Sequence, residues 1–461
     1  MARLLVALLI LLSSRAFGQR LVPPPEVEGV VIEIERHAEG RIWSAWLGNG
    51  VRVHALLLPP DVPSDLGAIA VTVAGGPLYE TRETRGVASA LAQVLARPAL
   101  PGLIPEETGQ VLDGAGIRLR GGTRGDAVML TALAPRDGLA DAAAALRVSL
   151  SSPAVDVATI AEYTGASADR LERLQGDVFF MLEGALRESL FPPGDSRGAV
   201  ASPVELASID ADAVAGFYEL HVRSAPLEVA VASSLPPIDA LTLMASEFGS
   251  LPERPRIMLR MAPELRVPRA GPRRVISKGV APGDLAGVLV AVPMPGFDEL
   301  PRLRAVLKAQ SIAVSRLQEM ALDGNPEWGG VGLERWTRVF SAPLAHPGVG
   351  WFGFAGEVPA EQAEALRFAL ISLLEDLSIR EPTEEELAAA QTQIGSELAS
   401  GNTPLGWAVR CVNATYRGLD VGGVFETQAR YEAIDGRDIR RAFESLLDRD
   451  EHYEVVLLPK E

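Results

Sequence analysis

The sequence repeats itself, and a duplicated chain is confined to folds that one shared unit can build twice. Residues 64–77 read SDLGAIAVTVAGGP and residues 283–296 read GDLAGVLVAVPMPG. Both contain Asp-Leu, at Asp65 and at Asp284, run on through apolar residues and stop at Gly or Pro. Each predicts a strand, followed by a polar turn and an Ala/Leu-rich helix, at 84–95 and 300–317. The likeness returns at the far ends, in IDADAVAGFYELHVRSAPLEVAV from Ile209 and IDGRDIRRAFESLLDRDEHYEVVL from Ile434. Phe217 and Phe443, Leu220 and Leu446, and Glu228 and Glu454 are separated by one and the same interval, close to that between Asp65 and Asp284. Each far end predicts a helix opened by an Asp-containing cap, then a turn and a terminal strand. Agreement of order, spacing and ends points to two tandem α+β domains of about 200 residues each.

Further signals fill in the frame. Arg41–Leu47 and Val51–Leu58 predict a hairpin across Gly48-Asn49-Gly50, whose Asn-Gly pair tolerates positive φ. In the first half, 117–133 predicts a strand pair interrupted at Gly121-Gly122, and 140–150 and 157–190 predict helices. In the second half, strands fall in 336–354 and helices in 361–377 and 383–398. Thr383 and Glu386 form a capping box at the start of the last of these. Residues 19–40, with Pro23-Pro24-Pro25, read as an extended lead-in, and the Pro/Arg-rich stretch 251–273 as a linker. The domains are therefore expected at 41–250 and 274–461.

Arg3, the apolar run Leu4–Leu12, Ser13-Ser14 and Ala16-Phe17-Gly18 follow the order of a secretory signal peptide, with cleavage expected after Gly18 and an uncleaved anchor as the alternative. That run is far shorter than the roughly 20 residues needed to span a bilayer, and no later segment is long and apolar enough. The expectation is an exported protein, periplasmic or extracellular, with no transmembrane anchor once the signal is removed. Cys411 is the one cysteine, which rules out an internal disulfide. A net charge of −17 repels phosphate backbones, and the arginines are scattered among acids, so no nucleic-acid partner is expected.

The strand ending at Gly75-Gly76, then Glu80, then Gly86-Val87-Ala88 opening a helix, resembles the insulinase/pitrilysin family of zinc peptidases, which includes the mitochondrial processing peptidases. The LGNG hairpin at 47–50, the duplicated halves and the Ser315-Arg316-Leu317 triplet share the resemblance, which covers essentially the whole chain after the signal. It implies two α+β halves arranged as a clamshell and an inverted zinc motif, His-x-x-Glu-His, on the first helix. Two His four apart on one helical face grip the metal, and the Glu beside them activates the bound water. Here those positions hold Ser89, Ala92 and Gln93. Ser is a poor zinc ligand, Ala has no functional group, and Gln is no base near neutral pH.

The family's third ligand would fall near 165–169, where Asp169 or Glu172 could nominally serve, but one carboxylate does not make a zinc site. The histidines, His37, His54, His221, His346 and His452, share no helical turn. No metal and no other cofactor is therefore expected. The Arg and Tyr that the family's second half lends to the substrate would fall near Leu322 and at Trp328 or Gly329; Trp328 could stack on a peptide or simply pack. No Gly-x-Ser-x-Gly elbow occurs, Cys411 has no assigned His partner, and Gly121-Gly122 and Gly329-Gly330 lack the Lys of a phosphate loop.

What the resemblance leaves intact is a peptide-binding mode, in which an extended peptide adds to a sheet edge in the first half. The candidate residues are Ile117, Arg118, Leu119 and Arg120 on the edge, and Trp328. Arg118, Arg120 and Arg124 could equally keep an ordinary edge free of partners, or attract an acidic one. Three functions compete. The first is a non-catalytic partner subunit that pairs with an active homologous metallopeptidase and helps hold extended peptides. The second is a stand-alone periplasmic peptide-binding or chaperone-like protein, and the third a divergent peptidase with a displaced metal site.

Overall fold

A computed structural model describes residues 19–21, 30–63, 65–191, 195, 198, 200–256, 273–281, 283–323, 335–342, 350–447 and 452–460, with side chains from residue 30 onward except at 273, 298, 319–323 and 335–342. The expected signal peptide, most of the linker, His346 and Trp328 lie outside the described residues.

The first half starts with four strands, β1 (Gln19–Leu21), β2 (Val31–His37), β3 (Ile42–Leu47) and β4 (Arg52–Leu57). The lead-in is thus part of a sheet, since β1 pairs antiparallel with β2 through Gln19 opposite Arg36. Then come β5 (Leu66–Ala74), α1 (Val87–Leu95), α2 (Pro105–Gly114), β6 (Arg118–Arg124), β7 (Ala127–Pro135), α3 (Leu139–Ser151), α4 (Val157–Leu174) and α5 (Val178–Leu190). The half closes with α6 (Pro203–Ala207), α7 (Ala211–Phe217), β8 (Leu227–Ser233) and α8 (Pro237–Phe248). The second half contains β9 (Arg273–Ser277), β10 (Leu285–Met294), α9 (Leu300–Asp323), β11 (Arg335–Ala342), β12 (Gly350–Pro359) and α10 (Ala363–Ile379). It ends with α11 (Glu384–Ser400), α12 (Pro404–Tyr416), α13 (Thr427–Glu432), α14 (Gly436–Leu447) and β13 (Tyr453–Leu457).

The strand orders carry the duplication into three dimensions. The first sheet runs β1-β2-β3-β4-β8-β5-β7-β6 and the second β11-β12-β10-β13-β9. Read from its other edge, the second is β9-β13-β10-β12-β11, the same order as β4-β8-β5-β7-β6. Even the one parallel pair recurs, β4 with β8 and β13 with β9. The extra β1-β2-β3 meander covers what would otherwise be the far edge of the first unit.

Local chemistry sets most element ends. Asp210 Oδ1 accepts from Ala213 N at 2.8 Å and Asp435 Oδ1 from Asp438 N at 2.9 Å, so equivalent aspartates open α7 and α14. The Thr383–Glu386 capping box opens α11. At the β3–β4 hairpin, Gly50 alone of the Asn-Gly pair takes positive φ, at 83°. The turn needs a single left-handed position, and Gly50 supplies it. The Asn49 amide instead donates to Phe248 O and Leu251 O, at 2.8 and 3.0 Å, and pins the hairpin to the end of α8.

Each sheet is covered on both faces, and one cover is borrowed. Ile69, Val71 and Val73 of β5 and Val229 and Val231 of β8 pack among α1, α3 and α8. Their alternates Ala68, Ala70, Ala230 and Ala232 face the other way, against Trp407, Ala408, Cys411 and Val412 of α12, a helix of the second half. Alanines there let α12 lie close to the strands. In return α5, from the first half, lays Val178, Leu182 and Leu186 on Leu289, Ala291, Val455 and Leu457 of the second sheet. The starts of α5 and α12, Val178 and Pro404, are separated by the same interval as Phe217 and Phe443, so the duplicated unit exchanges equivalent helices. Asp126, fully buried in the β6–β7 turn, ties the halves further through Arg417 at 3.2 Å.

Candidate functional site

The helix that opens at Gly86-Val87-Ala88 is α1. Gly86 stands at its N-cap with φ 93°, a conformation that favours glycine. The exposed donors of its first turn find an acceptor in Glu80, whose Oε1 takes the Ala88 N–H at 2.8 Å. Burial pushes the Glu80 carboxyl up to about 7, against the pull of that bond and of the Gly86 N–H. Glu80 therefore closes the helix start from inside the core.

Ser89, Ala92 and Gln93 lie on the face of α1 that meets β6. Ser89 Oγ is 2.9 Å from Thr123 Oγ1, and Gln93 Nε2 donates to Gly121 O at 3.0 Å. Ala92 is fully buried, and its carbonyl sits where a β-carbon on Gly121 would be, 1.8 Å away. The glycines thus do not interrupt a strand pair, as the sequence suggested. β6 runs through both, and the reversal is at Gly125-Asp126. Gly121 is needed because the strand rests directly on the helix backbone.

These three positions do not fit a zinc ion. Hydroxyl, methyl and neutral amide offer no anionic or imidazole donor, and the two polar side chains are engaged with β6. Asp169 and Glu172, on α4, are exposed. Among the described residues no three His, Cys, Asp or Glu side chains converge so as to hold a metal. Of the described histidines, His221 packs between Tyr79 and Phe217, His37 lies 3.5 Å from Glu35, and His452 hydrogen-bonds Glu454 at 2.8 Å.

His54 has the contacts of a catalytic triad without the access. Its Nδ1 is 2.8 Å from Ser44 Oγ and its Nε2 is 3.2 Å from Glu228 Oε2, across neighbouring strands β3, β4 and β8. The row is buried beneath α12 next to Cys411, and burial pushes the imidazole down to about 4 and the thiol up. With no path to solvent it braces the sheet. Arg316, of the Ser-Arg-Leu triplet, is also a strut. It holds Glu386 with Nε and Nη2, at 2.6 and 2.9 Å, and Asp376 with Nη1 at 2.6 Å, tying α9 to α10 and α11.

The edge candidates divide. Ile117 is buried in the core and Leu119 packs partly against it, while Arg118 and Arg120 are exposed. The two-residue turn makes Arg124 and Ala127 the closing hydrogen-bonded pair. By alternation, Leu119, Gly121 and Thr123 aim their backbone groups away from β7, toward the open edge. Gln93 occupies the Gly121 acceptor, and no other strand pairs with this edge among the described residues. A Gln reaching an edge carbonyl has no signature in sequence, because it depends on how closely β6 approaches α1.

No protein-family model and no curated protein matches the sequence. Solved structures do match. The periplasmic protease PqqL from Escherichia coli superposes with a TM-score of 0.76 at 16% identity, over 95% of this chain and 47% of that one. A peptidase M16 inactive domain from Pseudomonas fluorescens gives 0.74 at 14% identity, over 91% and 98% of the two chains. A protease from Helicobacter pylori gives 0.73 at 16% identity, over 91% and 99%. The fold is that of the M16, or insulinase-type, peptidases, and the chain spans about half the length of PqqL.

Proposed function

Starting from an M16-type fold whose first helix carries Ser89, Ala92 and Gln93 at the zinc-motif positions, we propose that this protein is a non-catalytic partner subunit that joins an active homologous peptidase and helps hold its extended peptide substrate. One observation carries the reading. The chain matches about half of a longer periplasmic protease, while its first-half helix presents Ser89, Ala92 and Gln93 where zinc chemistry would be needed. A unit with these residues at those positions would leave the metal chemistry to a second unit. The similarity to an inactive M16 domain at nearly full coverage of both chains supports the same reading.

The peptide would lie along β6, whose open edge offers backbone groups at Leu119 and Thr123 on either side of the Gln93-occupied carbonyl. Export fits the leader-like start of the sequence, the periplasmic relative and the lack, among the described residues, of any helix long and apolar enough to cross a membrane. The test is co-expression with the M16-type peptidase encoded nearest to it. A stable heterodimer on size-exclusion chromatography with light scattering, and faster peptide cleavage than by the peptidase alone, is the expected result. A protein that stays monomeric and leaves the cleavage rate unchanged refutes the partner role. Peptide binding by that monomer would favour a stand-alone peptide-binding protein.

A further inference from the structure

Between the β6–β7 hairpin and the second half lies a cavity of about 550 Å³. In a chain of net charge −17 its walls carry Arg124, Arg304, Arg410, Arg417 and Arg430 against a single acid, Asp420. Phe297 and Leu300 line it between the cations. Two of the arginines are already balanced, Arg417 by Asp126 at 3.2 Å and Arg430 by Glu426 at 2.6 Å. Arg410 donates to the Gly401 carbonyl at 2.8 Å and lies over the Trp407 ring. No carboxylate among the described residues comes within ion-pair distance of Arg124, Arg304 or Arg410.

Burial and the Arg417 guanidinium lower the pKa of Arg124 against the pull of Asp126, burial and Arg430 lower that of Arg304, and burial alone lowers that of Arg410. Arg304 and Arg410 are half-buried and Arg124 is exposed at the rim, and like charges facing one cavity repel until an anion enters. A second cavity of about 480 Å³ shares Arg304 and Arg430 and prolongs the basic wall.

The occupant follows from what adjoins the cavity. Arg124 is both the last residue of β6 and part of the wall, and Arg118 and Arg120 lie on the same face of that strand by alternation. A strand added at the β6 edge would set every second side chain on that face and lead toward the cavity, where Phe297 and Leu300 suit a peptide's apolar atoms. We infer that the cavity and the β6 arginines select acidic extended peptides, with carboxylates at alternate positions and one seated among Arg124, Arg304 and Arg410. This rests on the reading that β6 binds extended peptide, and adds its charge specificity.

The test is fluorescence anisotropy of the full chain with labelled peptides of alternating Glu and Val, and with matched peptides carrying Gln or Lys for Glu. The Glu peptide is expected to bind about tenfold more tightly than the Gln peptide, with the gap narrowing as salt rises. The double variant Arg124→Gln, Arg304→Gln is expected to cut the Glu-over-Gln preference severalfold, with circular dichroism confirming its fold. Equal affinity for Glu and Gln peptides overturns this inference alone. A Glu preference undiminished in the double variant removes the cavity as its source. Failure of every peptide to bind sinks the strand-binding reading, and this inference with it.

Discussion

The seat of β6 on α1 can be tested with two adjacent glycines that the structure treats differently. A β-carbon on Gly121 would lie 1.8 Å from the carbonyl oxygen and 2.6 Å from the carbonyl carbon of Ala92, and one on Gly122 would meet nothing within 4 Å. Carbon and oxygen in contact need roughly 3.3 Å, so Gly121→Ala must drive strand and helix apart by about 1.5 Å, at about 1–3 kcal/mol for overpacking. The struck oxygen accepts the Ala96 N–H at the last turn of α1, which limits its freedom to turn away. The same movement breaks the Gln93–Gly121 and Ser89–Thr123 hydrogen bonds, worth about 1 kcal/mol each. The sum is a loss of about 3–5 kcal/mol. Gly122→Ala has space and a φ that any residue adopts, and is expected to be neutral or to stabilise by about 0.5 kcal/mol through the unfolded chain. Urea denaturation followed by circular dichroism measures both. If the two variants agree to within about 0.5 kcal/mol, β6 does not rest on α1 and the account of the site collapses with it.

Other consequences are as direct. Asp126→Ala leaves the buried Arg417 side chain without its carboxylate and is expected to cost about 3–5 kcal/mol, read as a lower urea midpoint; an unchanged midpoint would show that the pair does not join the halves. Ala230→Leu puts a larger side chain between β8 and α12 and is expected to cost about 1–3 kcal/mol, with faster hydrogen exchange in α12; unchanged exchange would argue against the borrowed cover. Glu80, raised to about 7, favours the folded state below the ordinary carboxylate range, and that stability is lost as pH climbs from about 4.5 through 7. The loss amounts to about 3 kcal/mol, and Glu80→Gln is expected to abolish it. His54, lowered to about 4, acts oppositely, since its stability is present above about 6.5 and lost as pH falls toward 4. His37, also lowered by burial, acts with the sign of His54, so between pH 4.5 and 6.5 the His54→Gln variant is expected to lose more stability with rising pH than the wild type; an unchanged slope would contradict the His54 assignment.

The repeat was legible because it is written in periodicity and spacing. Asp65 and Asp284 mark equivalent strands, Asp210 and Asp435 equivalent helix caps, and Gly86-Val87-Ala88 the start of the helix that carries the candidate site. These are local signals, since a capping oxygen, a turn glycine or a β-branched run acts within a few residues of itself. The identities at Ser89, Ala92 and Gln93, and hence the unsuitability of their side chains for zinc, also belong to the sequence alone.

Contacts across large sequence distances belong to the tertiary structure. That α5 and α12 change places was hidden, because an alanine on a strand's second face looks the same whichever helix covers it. The role of Gly121-Gly122 was misread for a related reason. Two adjacent glycines suggest a break in a strand, and only the closeness of the Ala92 carbonyl shows why one of them must lack a side chain. The arginines of the inter-half cavity are strung out along most of the chain, from Arg124 to Arg430, and in sequence they pass for scattered surface charge. Charge acts over ångströms in space and takes no account of separation along the chain, so folding had to bring them together before they could amount to a site.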